Sequence, residues 1–175
     1  MNAFRFRYNF IFLLIVAAVS CNEKDDLPDE PVINSIDFDE DQKLLIFNFT
    51  DGDGNFGLSE SMTNPPFQDS IDGGINEFSN NLWLDLFVKE EGSYNLVETS
   101  NPNGFDFRIP ELTPQGQNKQ LRVTGTYDLA FDLEALTEGN NPELSIGDTL
   151  KFEVILVDRD LNLSNLATTE NHILQ

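Results

Sequence analysis

The chain has 175 residues, with 31 acidic against 10 basic side chains and a formal net charge of −21. A surface this negative repels the phosphate backbone, so nucleic-acid binding is excluded. Fifteen phenylalanines within an apolar fraction of 39% supply enough apolar area to exclude an intrinsically disordered chain.

The first twenty residues have the layout of a secretory signal peptide. Arg5 and Arg7 form a basic start, and the almost wholly apolar run from Phe10 to Val19 is too short to span a membrane as a helix. Ser20 then precedes Cys21. A small residue directly before a cysteine resembles the lipobox of bacterial lipoproteins. The resemblance implies that residues 1–20 are removed and that Cys21 is acylated, which anchors the protein to a membrane by lipid.

Cys21 is the only cysteine of the chain. An unpaired thiol is reactive in an oxidising compartment, and acylation would remove that reactivity. The alternative is an ordinary secretory signal followed by a coincidental cysteine.

Residues 21–31 are predicted to form an acidic tether. The string Asn22-Glu23-Lys24-Asp25-Asp26 is charged, and Pro28 and Pro31 follow it, which favours an extended and solvated segment. Lysine and two acids close behind the cysteine resemble the surface-export signal of Bacteroidota lipoproteins. The likeness implies display on the outer face of the outer membrane; the alternative is a generic acidic linker.

Residues 32–175 are predicted to be a single all-β domain, because apolar side chains alternate with a period of two. Leu45, Phe47 and Phe49 share one face of a strand, as do the alternate residues from Leu82 to Val88. The predicted strands are 32–38, 43–49, 82–89, 94–98, 105–109, 119–128, 150–158 and 166–174, with a helical turn at 131–136. Seven to eight short strands separated by turn residues indicate an antiparallel β-sandwich with an immunoglobulin-like topology; a barrel is the alternative.

An acidic loop follows the second predicted strand. Asp51, Asp53 and Asn55 alternate with glycines, and calcium requires six to eight oxygen ligands of this kind. The spacing matches the first positions of an EF-hand loop, but Phe56 stands where that motif requires glycine and Met62 where it requires glutamate. The loop is therefore not an EF-hand, and further ligands must come from elsewhere.

A second acidic loop supplies candidates in Asp158, Asp160 and Asn162, after the strand that begins at Leu150. In an immunoglobulin-like topology the loops after these two strands lie at the same end of the sandwich. We therefore expect the six residues of the two loops to surround one calcium ion. Two alternatives stay open: the loops are only turns, in which Asp and Gly are common, or Arg159 pairs with an acid and makes Asp158 purely structural.

Several motifs together resemble a group of small Bacteroidota surface lipoproteins. They are the lipobox, the string from Phe49 to Gly57, the segment Phe107 to Pro114, and the terminal segment Val157 to Asn165. Members of this group are predicted to be immunoglobulin-like and mostly have no assigned activity. The resemblance implies a fold and a location, and little about chemistry.

The sequence predicts a protein that is not an enzyme. His172 is the only histidine and lies near the C-terminus, which is unfavourable for a nucleophile–histidine pair or a zinc site. A carboxylate pair of the kind glycoside hydrolases use is the less favoured alternative.

A non-catalytic binding module is the function the sequence favours. The connection from Leu58 to Asn81 is long for a sandwich, and calcium at its base would present Phe67 to a glycan or protein ligand. Trp83 and Phe87 share a strand face where they could stack on a sugar, although a core position is favoured for Trp83. The alternative function is an accessory structural subunit of an outer-membrane assembly.

Overall fold

The computed structural model describes residues 27–99, 101–112, 120–137 and 143–175. The predicted signal peptide, the predicted lipidation site Cys21 and the first part of the tether lie outside the described residues and remain predictions.

Within those ranges the structure contains ten strands, one α-helix and one 3₁₀ turn at Glu77–Ser79. The strands are β1 (Val32–Asp39), β2 (Leu44–Asp51), β3 (Ser70–Ile71), β4 (Gly74–Ile75), β5 (Leu82–Glu90), β6 (Ser93–Leu96), β7 (Leu121–Asp128), β8 (Thr149–Leu156), β9 (Ala167–Thr168) and β10 (His172–Ile173), and the helix α1 is Ala130–Thr137. In the part of the chain described, no helix is long and apolar enough to span a bilayer.

Eight of the strands form two antiparallel sheets. The first has the order β1-β2-β7; in the second, β6, β5 and β8 are neighbours, and β9 and β10 pair with β8. This is the strand order of an immunoglobulin-like sandwich, with β1, β2 and β7 as strands A, B and E and the other sheet as C′, C, F and G. The prediction of an all-β sandwich with seven to eight strands is confirmed.

The core lies between the two sheets and follows the predicted alternation. Leu45, Phe47 and Phe49 of β2 are all buried, and so are Leu82, Leu84, Leu86 and Val88 of β5. The rings of Phe38 in β1 and Phe152 in β8 meet with their centroids 4.8 Å apart, which joins the two sheets. The alternation buries one face of each strand because successive side chains point to opposite sides of a sheet.

Two predicted strands were incomplete, and one hairpin was not predicted. Residues 105–109 form only a single bridge, from Phe107 to Leu82, and the predicted last strand is divided into β9 and β10, which both pair with the same edge of β8. The short β3–β4 hairpin within the long connection was not predicted, because its two-residue strands leave no alternating pattern to detect. The helical turn predicted at 131–136 is confirmed as α1.

Candidate metal centre

The two acidic loops lie at the same end of the sandwich, as the topology predicted. β2 ends at Asp51, and β8 is followed by Val157 and Asp158. The loops are in direct contact, because Asn55 Nδ2 donates to Asp160 Oδ2 over 3.0 Å. Residues more than a hundred positions apart in the sequence thus form one cluster.

Asp51 is fully buried at the end of β2. Its Oδ2 accepts a hydrogen bond of 3.0 Å from the backbone N–H of Phe56. Phe56 is also fully buried and packs on Phe49 with a centroid distance of 4.7 Å, which folds the loop back over the end of the core. Asp51 Oδ1 is buried and finds no hydrogen-bond donor among the described residues. A buried acceptor without a donor destabilises the folded state, so binding of a cation or a proton to this oxygen would be favourable.

Asp53 and Asn55 form a tight pair in the same loop. Asp53 Oδ1 accepts from the Asn55 backbone N–H over 3.1 Å, and Asp53 Oδ2 accepts from Asn55 Nδ2 over 2.8 Å. The amide nitrogen of Asn55 therefore donates to two carboxylates, those of Asp53 and Asp160. Its Oδ1 is the second buried oxygen of the cluster that has no donor among the described residues.

Asp158 is fully buried and organises the second loop. Its Oδ1 accepts from the backbone N–H groups of Asp160, over 2.9 Å, and of Asn162, over 2.8 Å, and its Oδ2 accepts from Asn162 Nδ2 over 2.8 Å. Leu161 has a φ of 64°, the left-handed conformation that closes this turn. Asn162 thus braces the turn through its amide nitrogen.

One carboxylate oxygen from each of Asp51, Asp53 and Asp158 lies within 4.8 Å of the corresponding oxygens of the other two. Calcium binds oxygens at 2.3–2.6 Å, so oxygens on opposite sides of one ion are about 5 Å apart. The three carboxylates therefore fit a single ion. Asp160 is not part of this triad; it contacts the cluster through Asn55.

The electrostatics of the cluster favour neutralisation of its charge. Burial, with the neighbouring charge of Asp53, raises the pKa of Asp51 from 3.8 to about 6. Burial also raises the pKa of Asp53, and Asp158, Asp160 and Asp29 add to this effect. A divalent cation or a proton would relieve the same repulsion, so the two should compete.

Arg159 does not pair with Asp158. Its Nη1 forms an ion pair of 2.8 Å with Glu111, and its Nε donates to the backbone carbonyl of Asn55. Arg159 therefore pairs with an acid, as one alternative held, but that acid is Glu111, and the pairing leaves open whether Asp158 is purely structural. Glu111 was missed from the sequence because nothing local marks a residue 48 positions away as the partner of Arg159.

The N-terminal segment also contacts the cluster. The backbone N–H of Gly52 donates to Pro28 O over 2.8 Å. A Cβ at Gly52 would lie only 2.2 Å from Pro28 O and 2.4 Å from Leu27 O, so only glycine fits there. Residues assigned to the tether thus lie against the loop that carries Asp51 and Asp53.

The long connection between β2 and β5 is held by Arg108, which the sequence did not indicate as a structural residue. Its guanidinium donates to the carbonyl oxygens of Ser79 (2.6 Å), Met62 (2.8 Å) and Ser59 (3.1 Å). Asn76, nearly fully buried, donates from Nδ2 to the carbonyls of Pro66 and Gln68. Arg108 and Asn76 therefore hold this loop through its backbone carbonyls.

Trp83 lies on the outer face of the second sheet, so the favoured core position was wrong. Its ring packs against Phe78 with a centroid distance of 5.8 Å, and its Nε1 donates to Glu77 O. Lys151 Nζ lies 4.7 Å from the centroid of Phe87. Both rings of the predicted sugar-stacking pair are thus already in contact with other side chains.

An apolar cleft of about 210 Å³ opens between β7 and the segment 107–112. The chief lining side chains are Phe107, Ile109, Leu112, Val123 and Tyr127. Phe107 and Leu112 at its rim are 43% and 39% exposed. The segment is connected to the acidic loop, since Leu58 N–H donates to Ile109 O and Gly57 packs against Pro110.

No protein-family model matches this chain, and no curated protein is similar to it at a significant level.

Proposed function

We propose that this protein is a lipid-anchored, surface-displayed binding module whose loop end is stabilised by calcium. The anchor is the acyl group expected on Cys21, and the ion is expected between Asp51, Asp53 and Asp158. The single observation that supports the ion is the triad itself: one carboxylate oxygen from each of Asp51, Asp53 and Asp158 lies within 4.8 Å of the other two, and Asp51 also has a buried oxygen, Oδ1, without a donor among the described residues. Oxygen-only ligands of this kind suit a hard cation such as calcium.

The remaining ligands would come from the same loops. Asn55 Oδ1 is the next candidate, because it is buried and has no donor among the described residues. Asp160 is close enough to accept from Asn55 and could complete the shell directly or through water. Asn162 has a different role in this proposal, because its amide nitrogen braces Asp158.

The test is thermal unfolding of the chain without residues 1–20, first in EDTA and then in calcium. Binding at a hundred times the dissociation constant adds about 2.7 kcal/mol, or roughly 5–10 °C for a domain of this size. Asp53→Asn should abolish the increase, because it removes one ligand charge and nearly preserves the shape. Asp72→Asn is the matched control, since Asp72 is exposed in the β3–β4 turn. An unchanged melting temperature at millimolar calcium would contradict the ion site.

For the ligand we propose a protein segment that inserts an apolar side chain into the cleft beside β7. The cleft is lined mainly by aliphatic and aromatic side chains, whereas glycan recognition depends on polar groups that fix hydroxyls. Binding to immobilised peptides and glycans should be compared for the wild type and Leu112→Asp. Peptide binding lost in the variant would support the proposal; glycan binding that survives the substitution would contradict it.

A further inference from the structure

We infer that the end of the sandwich carrying the acidic cluster faces the membrane, and that calcium in the cluster fixes this orientation by holding the tether against the domain. This inference rests on the proposed function, namely a lipid at Cys21 and an ion at the cluster. The partner of this end of the molecule is then the lipid surface that holds the anchor.

The path of the N-terminal segment is the first observation. Leu27 and Pro28 lie directly against Gly52, between the two triad residues Asp51 and Asp53. Asp29 is close enough to Asp53 to contribute to its raised pKa. The chain that comes from Cys21 therefore reaches the domain at the ion site itself.

A second contact holds the start of β1 at the same end. The side chain of Asn165, after the second acidic loop, accepts from Ile33 N–H over 2.9 Å and donates to Ile33 O over 3.2 Å. This pair of bonds joins the entry of β1 to the loop that follows β8. The tether is thereby prevented from approaching the domain from the opposite end.

The length of the intervening chain limits how far the domain can stand from the bilayer. Six peptide units join Cys21 to Leu27, and at about 3.6 Å for each the separation is at most about 22 Å. An eight-residue strand such as β1 spans about 26 Å. The tether is thus shorter than the sandwich is long, which makes the end with the acidic cluster the closer one to the membrane.

Charge explains why calcium should control this arrangement. Asp29 of the tether and Asp53 of the loop repel each other, and the same acids are repelled by any anionic headgroup. A divalent cation bound to Asp51, Asp53 and Asp158 offsets both repulsions. Ion binding and tether docking should therefore favour each other, because each lowers the cost of the other.

Two features unique in the chain allow a direct test. Cys21 is the only cysteine and Trp83 the only tryptophan. The chain from Cys21 onward is coupled through its thiol to maleimide lipids in phosphatidylcholine vesicles that carry dansyl headgroups. Energy transfer from tryptophan to dansyl then reports the distance to the bilayer. Trp83 is the second residue of β5, opposite Ile155, and thus lies near the end with the cluster.

The matched donor for the opposite end is the variant Trp83→Phe/Ile146→Trp. Ile146 is 72% exposed in the turn before β8, so tryptophan is accommodated there. Trp83→Phe/Ile173→Trp is the second choice if the first does not fold, since Ile173 is 54% exposed and pairs with Thr149. In calcium we expect higher transfer from Trp83 than from either new tryptophan. EDTA, Asp53→Asn or Gly52→Ala should remove this excess.

Each outcome is decisive. Equal transfer from the two ends in calcium, or higher transfer from position 146, overturns the inferred orientation. An excess from Trp83 that is equally large in EDTA overturns the role of calcium. Titration calorimetry of calcium into the uncoupled chain separates this inference from the proposed function: absence of binding contradicts the ion site, whereas binding with unchanged energy transfer contradicts only the inference. The thiol coupling makes the result independent of acylation at Cys21.

Discussion

Arg159 and Glu111 form an ion pair of 2.8 Å that joins the loop after β8 to the segment lining the apolar cleft. The same guanidinium donates to the Asn55 and Gly54 carbonyls of the first acidic loop. One side chain therefore connects three separate segments at the end of the sandwich. The acidic cluster and the cleft share this connection, so a substitution at one should affect the other.

Arg159→Met should destabilise the domain by about 2 kcal/mol, because it leaves Glu111 and two loop carbonyls without their donor in a partly buried site. Glu111→Gln should cost less, since Arg159 keeps its carbonyl partners. Urea unfolding of both single variants and the double variant measures the coupling. Costs that simply add would contradict a direct interaction between the two side chains.

Asp51→Asn should distinguish two effects of Asp51: the destabilisation caused by its buried charge and its proposed role as a calcium ligand. Because the pKa of Asp51 is raised from 3.8 to about 6, its charge destabilises the ion-free domain at neutral pH by roughly 1–3 kcal/mol. The variant should therefore be more stable than the wild type in EDTA and show no increase in stability with calcium. Denaturant unfolding in both conditions tests this. A variant that is less stable than the wild type in EDTA would contradict the buried repulsion.

The stability of the ion-free domain should depend on pH with a defined sign. The folded state holds the Asp51 proton more tightly than the unfolded chain, whose pKa is near 3.8. The stabilisation by that proton is complete below pH 4 and is lost as the pH rises to about 6. Denaturant unfolding in EDTA from pH 4 to 7 should show this decrease, and Asp51→Asn should show a smaller one. Identical profiles would exclude Asp51 as the titrating group.

Calcium affinity should increase between pH 4 and 7, because an ion that binds to Asp51 must displace the proton that Asp51 holds at the lower pH.

Arg108→Gln should loosen the long connection without affecting the ion site. Three carbonyl oxygens, those of Ser59, Met62 and Ser79, lose a charged donor, for which we expect a cost of about 2–3 kcal/mol. Limited proteolysis should cut faster within residues 58–81, while calcium affinity stays unchanged. Lys89→Gln serves as the control, since Lys89 is exposed on β5. Cleavage at the wild-type rate would mean that other contacts hold the loop.

Gly125→Ala should destabilise the core by about 1–3 kcal/mol through overpacking. A Cβ at Gly125 in β7 would lie 2.5 Å from the ring of Phe47 in β2. Gly74→Ala is the control, because its nearest contact would be 3.6 Å away. Adding Phe47→Leu to Gly125→Ala should recover part of the loss, as measured by thermal unfolding. If the double variant is no better than the sum of the single ones, the ring is not the cause.

Much of the fold could be predicted from the sequence because strand alternation is a local property. Leu45, Phe47 and Phe49 occupy every second position of β2. All three are buried because every second side chain of a strand lies on the same face of the sheet. The order of the strands then placed the two acidic loops at one end. Trp83 was wrongly favoured as a core residue. Strand alternation assigns a residue to one face of the sheet but does not show what covers that face. The turn that carries Phe78 packs on the Trp83 ring, and this turn has no periodic pattern in the sequence.

The sequence by itself determined the two-sheet sandwich and the residue types of the candidate ion site, because periodicity and loop composition act between neighbours in the chain. Only the tertiary structure decided which oxygens converge. It selected Asp51, Asp53 and Asp158, assigned Asn162 to bracing, paired Arg159 with Glu111, and laid Pro28 on Gly52. These contacts join segments far apart in the sequence, and they depend on backbone positions that are fixed only when the two sheets pack around their common core.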